Sequence, residues 1–151
     1  MYKRQVSGYC QTLFPALPGD DCQSDAHCVA RQDGSDTCDV PHGLCYNKTA
    51  VPGAACARDT ACMLGGVCSL GPRFGGGYCQ TFGCDPQATT GVDACGAGGQ
   101  CATRGGPDEP IGACYEGCTL ATPCSRAAAG YVCEPPTTGA AATICLSASG
   151  A

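Results

Sequence analysis

Seventeen of the 151 residues are cysteine, and the thiol is the side chain here with the widest chemistry. As a thiolate it binds soft metals or attacks carbon and sulfur; as a half-cystine it crosslinks. Spacing separates these uses. Zinc and cluster sites take two ligands from one tight turn, as Cys-x2-Cys or Cys-x-Cys, and the tightest pair here is Cys114-x3-Cys118. The histidines are His27 and His42 alone, too far apart for a His-x3-His pair. A redox Cys-x-x-Cys is absent, which argues against disulfide-exchange catalysis. His27 adjoins Cys28, but that cysteine belongs to the framework below, and a Ser-His-Asp set needs a base held beside its nucleophile. Asp20, Asp21, Asp25, Asp33 and Asp36 offer carboxylates without the ligand spacing of a helix-loop-helix calcium site, and read as turn formers. The expectation is therefore no catalytic residue, no metal ligand, no cofactor and no enzyme.

Taken in fours, the cysteines form a repeat. Cys22, Cys28, Cys38 and Cys45 are separated by 5, 9 and 6 residues, and Cys56, Cys62, Cys68 and Cys79 by 5, 5 and 10. Cys84, Cys95, Cys101 and Cys114 have gaps of 10, 5 and 12; Cys118, Cys124, Cys133 and Cys145 have 5, 8 and 11. Other residues keep phase: Asp25, Asp59 and Asp93 before the second cysteine, small residues before the third, glycine or a small residue before the fourth. Cys10 is left over and unpaired. Gly8-Tyr9-Cys10-Gln11-Thr12 repeats Gly77-Tyr78-Cys79-Gln80-Thr81, so Cys10 reads as the last cysteine of a truncated unit. Met1-Tyr2-Lys3-Arg4-Gln5 resembles a translated sequencing-adaptor scar, with natural sequence expected from Val6 onward. The division is then a stub over 1–14, modules over 15–45, 46–79, 80–114 and 115–146, and a tail over 147–151.

Between its third and fourth cysteines each unit has hairpin character, two short extended stretches around a Gly/Pro-rich tip. The tips are Gly71 to Gly75, Gly105 to Pro110 and Pro135 to Gly139. A unit of four cysteines allows three pairings. A lone hairpin is marginal in water, and tying its two strands to the preceding loop would fix it. This favours first to third and second to fourth: Cys22–Cys38, Cys28–Cys45, Cys56–Cys68, Cys62–Cys79, Cys84–Cys101, Cys95–Cys114, Cys118–Cys133 and Cys124–Cys145. The fold class expected is small and disulfide-rich: tandem four-cysteine modules, each with a short β-hairpin, and little helix.

Composition sets the compartment. Leu, Ile, Val and Phe supply 19 residues, there is no Trp, and Gly and Pro number 23 and 11. Burial alone cannot offset the chain entropy of such a sequence, so crosslinks must, at roughly 3 kcal/mol for each ~15-residue loop in the chain-entropy model. Disulfides on this scale persist outside the cytosol; the expected location is extracellular, cell-surface or periplasmic, with the export signal not present in this fragment. A net charge of −5 argues against nucleic acid, and no apolar run approaches the ~18 residues of a membrane span.

A four-cysteine unit with a hairpin between its third and fourth cysteines resembles the larger half of an epidermal growth factor (EGF)-like module without its last cysteine pair. Cys22-x5-Cys28 with Ser24-Asp25 inside it is similar to the opening of the Dickkopf N-terminal cysteine-rich region, and exported bacterial cysteine-rich repeat proteins share this look. The resemblance covers Cys10 to Cys145. It implies an architecture and no particular ligand, and the acidic pair and hydroxylation motif of calcium-binding growth-factor modules are missing.

The function expected is a secreted or cell-surface structural spacer and protein-interaction module, its units stacked as a rod in which each touches only its neighbours. Its partner would be an extracellular protein or glycan. Arg73 and Phe74, at a hairpin tip without core residues in sequence range, are the candidate contacts. The alternative is a secreted protease inhibitor presenting a disulfide-bracketed loop, with Arg73 or Arg104 as primary contact. Tyr9, Tyr46, Tyr78, Tyr115 and Tyr131, all beside or near cysteines, are expected to pack on the adjacent cystines. Asn47-Lys48-Thr49 is the one N-glycosylation sequon.

Overall fold

The computed structural model describes residues 21–85, 95–103, 112–135 and 143–148, together with the backbone of 3–6 and 9–12. The tip of the third unit, that of the fourth beyond Pro135, Arg104, Asp20, Asp93 and the side chains of Tyr9 and Cys10 lie outside the described residues. The chain is a disulfide-rich array of short antiparallel hairpins. Strands β1 (Lys3–Val6) and β2 (Tyr9–Thr12) pair antiparallel. The one α-helix among the described residues, α1 (Asp25–Ala30), precedes β3 (Thr37–Asp39) and β4 (Leu44–Tyr46). Strands β5 (Val67–Ser69) and β6 (Tyr78–Gln80) follow, then β7 (Phe82–Cys84), β8 (Gly99–Ala102) and β9 (Gly112–Cys118), and finally β10 (Tyr131–Glu134) and β11 (Thr143–Ser147). Three-residue 3-10 turns occupy Asp59–Ala61, Pro72–Phe74 and Ala127–Ala129.

One register recurs. The third and fourth cysteines of each unit stand directly opposite each other: Cys38↔Cys45, Cys68↔Cys79, Cys101↔Cys114 and Cys133↔Cys145. Side chains of an opposed antiparallel pair share a face, so both sulfurs of a hairpin point toward the loop that carries the first two cysteines. Each takes its partner from there. Each of the first three units has a cluster of its own half-cystines, joined among the described residues by Ala54 and Ala61 in the second.

Residues flanking the cysteines earn their phase locally. Asp25 Oδ1 accepts the backbone N–H of Cys38 at 2.8 Å, and Asp59 Oδ1 that of Cys68 at 2.7 Å. The repeated aspartate thus ties the loop to its own hairpin. In the second and third units the first-cysteine segment crosses, two residues before the fourth cysteine, so closely that no side chain fits. A Cβ at Gly77 would lie 1.7 Å from Cys56 O, and one at Gly112 2.5 Å from Cys84 O. In the last unit Thr143 takes this place and its hydroxyl donates to Cys118 O.

The second, third and fourth units do not stack as separate beads. Strand β9 carries the last cysteine of the third unit and the first of the fourth, and pairs with β7, β8 and β11. The resulting sheet runs β10-β11-β9-β7, with β8 also on β9. Cys114 N–H donates to Thr81 O at 2.8 Å, closing the third unit on itself, while Tyr78 of the second unit is buried with Ala102 and Ala113 of the third. The second and fourth units, not consecutive in sequence, also touch. That corrects the expectation of a rod with neighbour contacts only.

Candidate functional site

The eight expected cysteine pairs are joined. First-to-third bridges span Cα distances of 5.8, 5.8, 5.9 and 5.8 Å, second-to-fourth bridges 5.4, 5.4, 5.3 and 5.6 Å. The near-constant distances reflect one local geometry used four times. Sulfur triplets such as Cys22, Cys28 and Cys45 lie within 4.8 Å of one another, but these sulfurs are bonded in disulfides and offer no thiolate. His42 Nδ1 lies 2.7 Å from Asp39 Oδ2, and His27 Nδ1 accepts the backbone N–H of Gln23.

Arg73 and Phe74 make a contact, but within the chain. The Arg73 guanidinium donates to Glu134 Oε2 at 2.7 Å, both side chains being about two-thirds buried. Phe74 packs against the core of the last three units, its ring 5.3 Å from that of Tyr78. The tip offered as free for a partner is docked on the fourth unit, because the chain returns through β7 and β9 and brings β10 and β11 alongside it.

This docking is centred on residues whose pairing the sequence did not announce. Tyr78 is fully buried and stacks on Tyr131 at 5.7 Å, with Tyr115 at 6.2 Å. Ala102, Ala113, Ile144 and Leu146 close the cluster together with Cys118, Cys124 and Cys145. Tyr78 of the second unit and Tyr115 and Tyr131 of the fourth thus pack on one another as well as beside cystines. The Tyr78 hydroxyl accepts the backbone N–H of Glu116 at 2.8 Å. Burial pushes the Tyr78 phenol well above its ordinary pKa, and burial raises that of Tyr131 too, against the nearby Arg126.

Arg126 lies on the rim of this cluster. Its guanidinium sits 4.3 Å over the Tyr131 ring and donates to Gly77 O at 2.6 Å and Gly75 O at 2.7 Å, with Gly53 O at 3.4 Å. The Tyr131 hydroxyl donates to Gly75 O as well. A planar fork of donors meets backbone carbonyls turned outward by a glycine run, with Gly76 and Gly77 at φ +74° and +73°. Arginine suits this in a way lysine does not. The signals in the sequence were the glycine run and a lone arginine two residues past Cys124, neither of which carries a period.

The first and second units meet through polar groups instead. Asn47 N–H donates to Cys62 O at 2.9 Å and its side-chain amide to Gly34 O at 2.8 Å, while Thr49 N–H and hydroxyl donate to Asn47 Oδ1. The sequon asparagine is therefore a structural clasp. Thr60 reaches across to Asp33 Oδ2 at 2.9 Å. Burial by itself would raise the Asp33 carboxyl, yet Ser35, Thr60 and Arg31 together hold it below the usual value. Asp36 is held low by the Lys48 backbone N–H and the Thr37 hydroxyl.

No family model, curated protein or solved structure matches the chain. The architecture and the contacts above therefore define its class: a small disulfide-rich protein of repeated cystine-cored hairpins. Among the described residues no helix is long and apolar enough to cross a membrane.

Proposed function

We propose that this chain is an exported, non-catalytic spacer and interaction module that works in an oxidising compartment, at a cell surface or in a secreted fluid. The carrying observation is the use made of its reactive groups. Sixteen cysteines are tied in eight disulfides, and Arg73, Arg126, Asp25, Asp33 and Asp59 hold structure together. A chain poor in large apolar side chains stands only while those crosslinks persist, which requires an oxidising medium. The likeness to the larger half of an EGF-like module, and to the Dickkopf N-terminal region, belongs to this reading as a likeness of plan. An extracellular protein or glycan is the partner class, met by surfaces other than the docked Arg73–Phe74 tip.

The test is chemical and direct. Exported protein, denatured without reductant and titrated for thiols, should show no more than the single thiol of Cys10. It should leave trypsin and chymotrypsin fully active at stoichiometric concentration. Many free thiols would overturn the oxidised reading, and stoichiometric inhibition would replace the spacer with an inhibitor.

A further inference from the structure

We propose that Arg126 is a latch that closes the second, third and fourth units into one body, a docking of non-consecutive units that a simple stack does not contain. Every unit has its own two cystines, and none bridges two units. The disulfides therefore hold each hairpin and leave the arrangement of hairpins to weaker bonds. Between the second and fourth units one side chain, Arg126, makes more of those hydrogen bonds than any other among the described residues, around the stacked Tyr78 and Tyr131 rings. Arg126 reaches Gly75 and Gly77 carbonyls of the second unit while stacked on Tyr131 of its own. Hydrogen bonds from a charged donor are the stronger kind, and a bidentate fork adds direction. Arg73–Glu134 joins the same two units by one part-buried ion pair, a single contact where Arg126 reaches two carbonyls and a ring.

The equivalent positions elsewhere do not carry the parts. Two residues after the second cysteine stand Ala30 in the first unit and Leu64 in the second; two before the third cysteine stand Asp36 and Gly66. The donor face made of Arg126 and Tyr131 belongs to the fourth unit alone among these. The array is thus a closed three-unit body with the first unit joined to it through the polar Asn47 clasp, so its two ends differ in stiffness.

The Glu116 amide is the reporter, since its acceptor is the Tyr78 hydroxyl at the heart of the docking. The Cys68 amide is the control, since Asp59 holds it inside one unit. In the full oxidised chain, hydrogen exchange should quicken at least tenfold at Glu116 in Arg126→Ala, with Tyr78 and Tyr131 becoming open to nitration and the Cys68 amide unchanged. Arg126→Lys should rescue only in part, and Arg73→Ala should loosen Glu116 less than Arg126→Ala. Unchanged exchange at Glu116 would overturn the latch. So would equal loosening of Cys68, or a larger effect from Arg73→Ala, because either would mean that Arg126 stabilises the chain generally and does not close it. Peptide mass mapping without reductant verifies that each variant keeps its eight cystines.

Discussion

Tyr78 is the residue on which the three-unit body depends most, and its replacement separates burial from hydrogen bonding. Its side chain is fully buried, ringed by Phe74, Tyr115 and Tyr131, with its hydroxyl accepting from Glu116 N–H. Tyr78→Ala removes the whole ring from a site whose neighbours are anchored by cystines and cannot collapse into the space. Truncating a buried aromatic costs about 3–5 kcal/mol. Tyr78→Phe keeps the packing and the ring contacts but leaves a part-buried amide without its acceptor, a loss of about 1–3 kcal/mol. Tyrosine near-UV circular dichroism, followed through guanidinium denaturation with the disulfides intact, reads both changes. The Cys38 amide, held by Asp25 within the first unit, should keep its protection in both variants, because that unit does not contribute to the cluster. The reasoning is refuted if Tyr78→Ala stays within about 1 kcal/mol of the parent, or if Tyr78→Phe is as damaging as Tyr78→Ala.

Three further outcomes are expected. Asp59→Ala should destabilise the second unit by about 1 kcal/mol, the usual loss for a single side-chain hydrogen bond to backbone, and should speed exchange of the Cys68 amide while sparing Cys38; Asp25→Ala should do the reverse. Gly77→Ala should prevent correct oxidation of the second unit, since its Cβ would collide with Cys56 O at a backbone φ of +73°; recovery of native Cys56–Cys68 and Cys62–Cys79 bridges by peptide mapping would contradict this. Asp33 and Asp36 have carboxyls held below their ordinary value, so they stabilise the folded chain above the unfolded carboxylate range of about pH 4 and lose that contribution as pH falls through their lower folded values. An acid titration followed by NMR should therefore leave the Lys48 and Ser35 amides native at neutral pH and release them only in strong acid, and release near pH 6 would show the sign to be wrong.

Much of this architecture is local and covalent, and for that reason it was legible. A hairpin between the third and fourth cysteines needs only short extended stretches and a turn, and cystines tying its strands to the preceding loop need only that loop's length. Asp25 and Asp59 could be seen to keep phase, but their acceptor role became visible only with the Cys38 and Cys68 amides in place. The docking of the second unit on the fourth was not legible. It rests on Arg126 meeting carbonyls about fifty residues away, and carbonyls are common to every sequence. Phe74 and Arg73 had no core within reach along the chain, so they read as exposed. The core that covers Phe74 and the glutamate that pairs with Arg73 arrive from β9, β10 and β11. The sequence by itself determined the four-cysteine units, their crosslinks and the oxidising surroundings they require, because covalent spacing is a local property. Only the tertiary structure decided how the units face one another, because that depends on weak, directional bonds between groups brought together after each hairpin has formed.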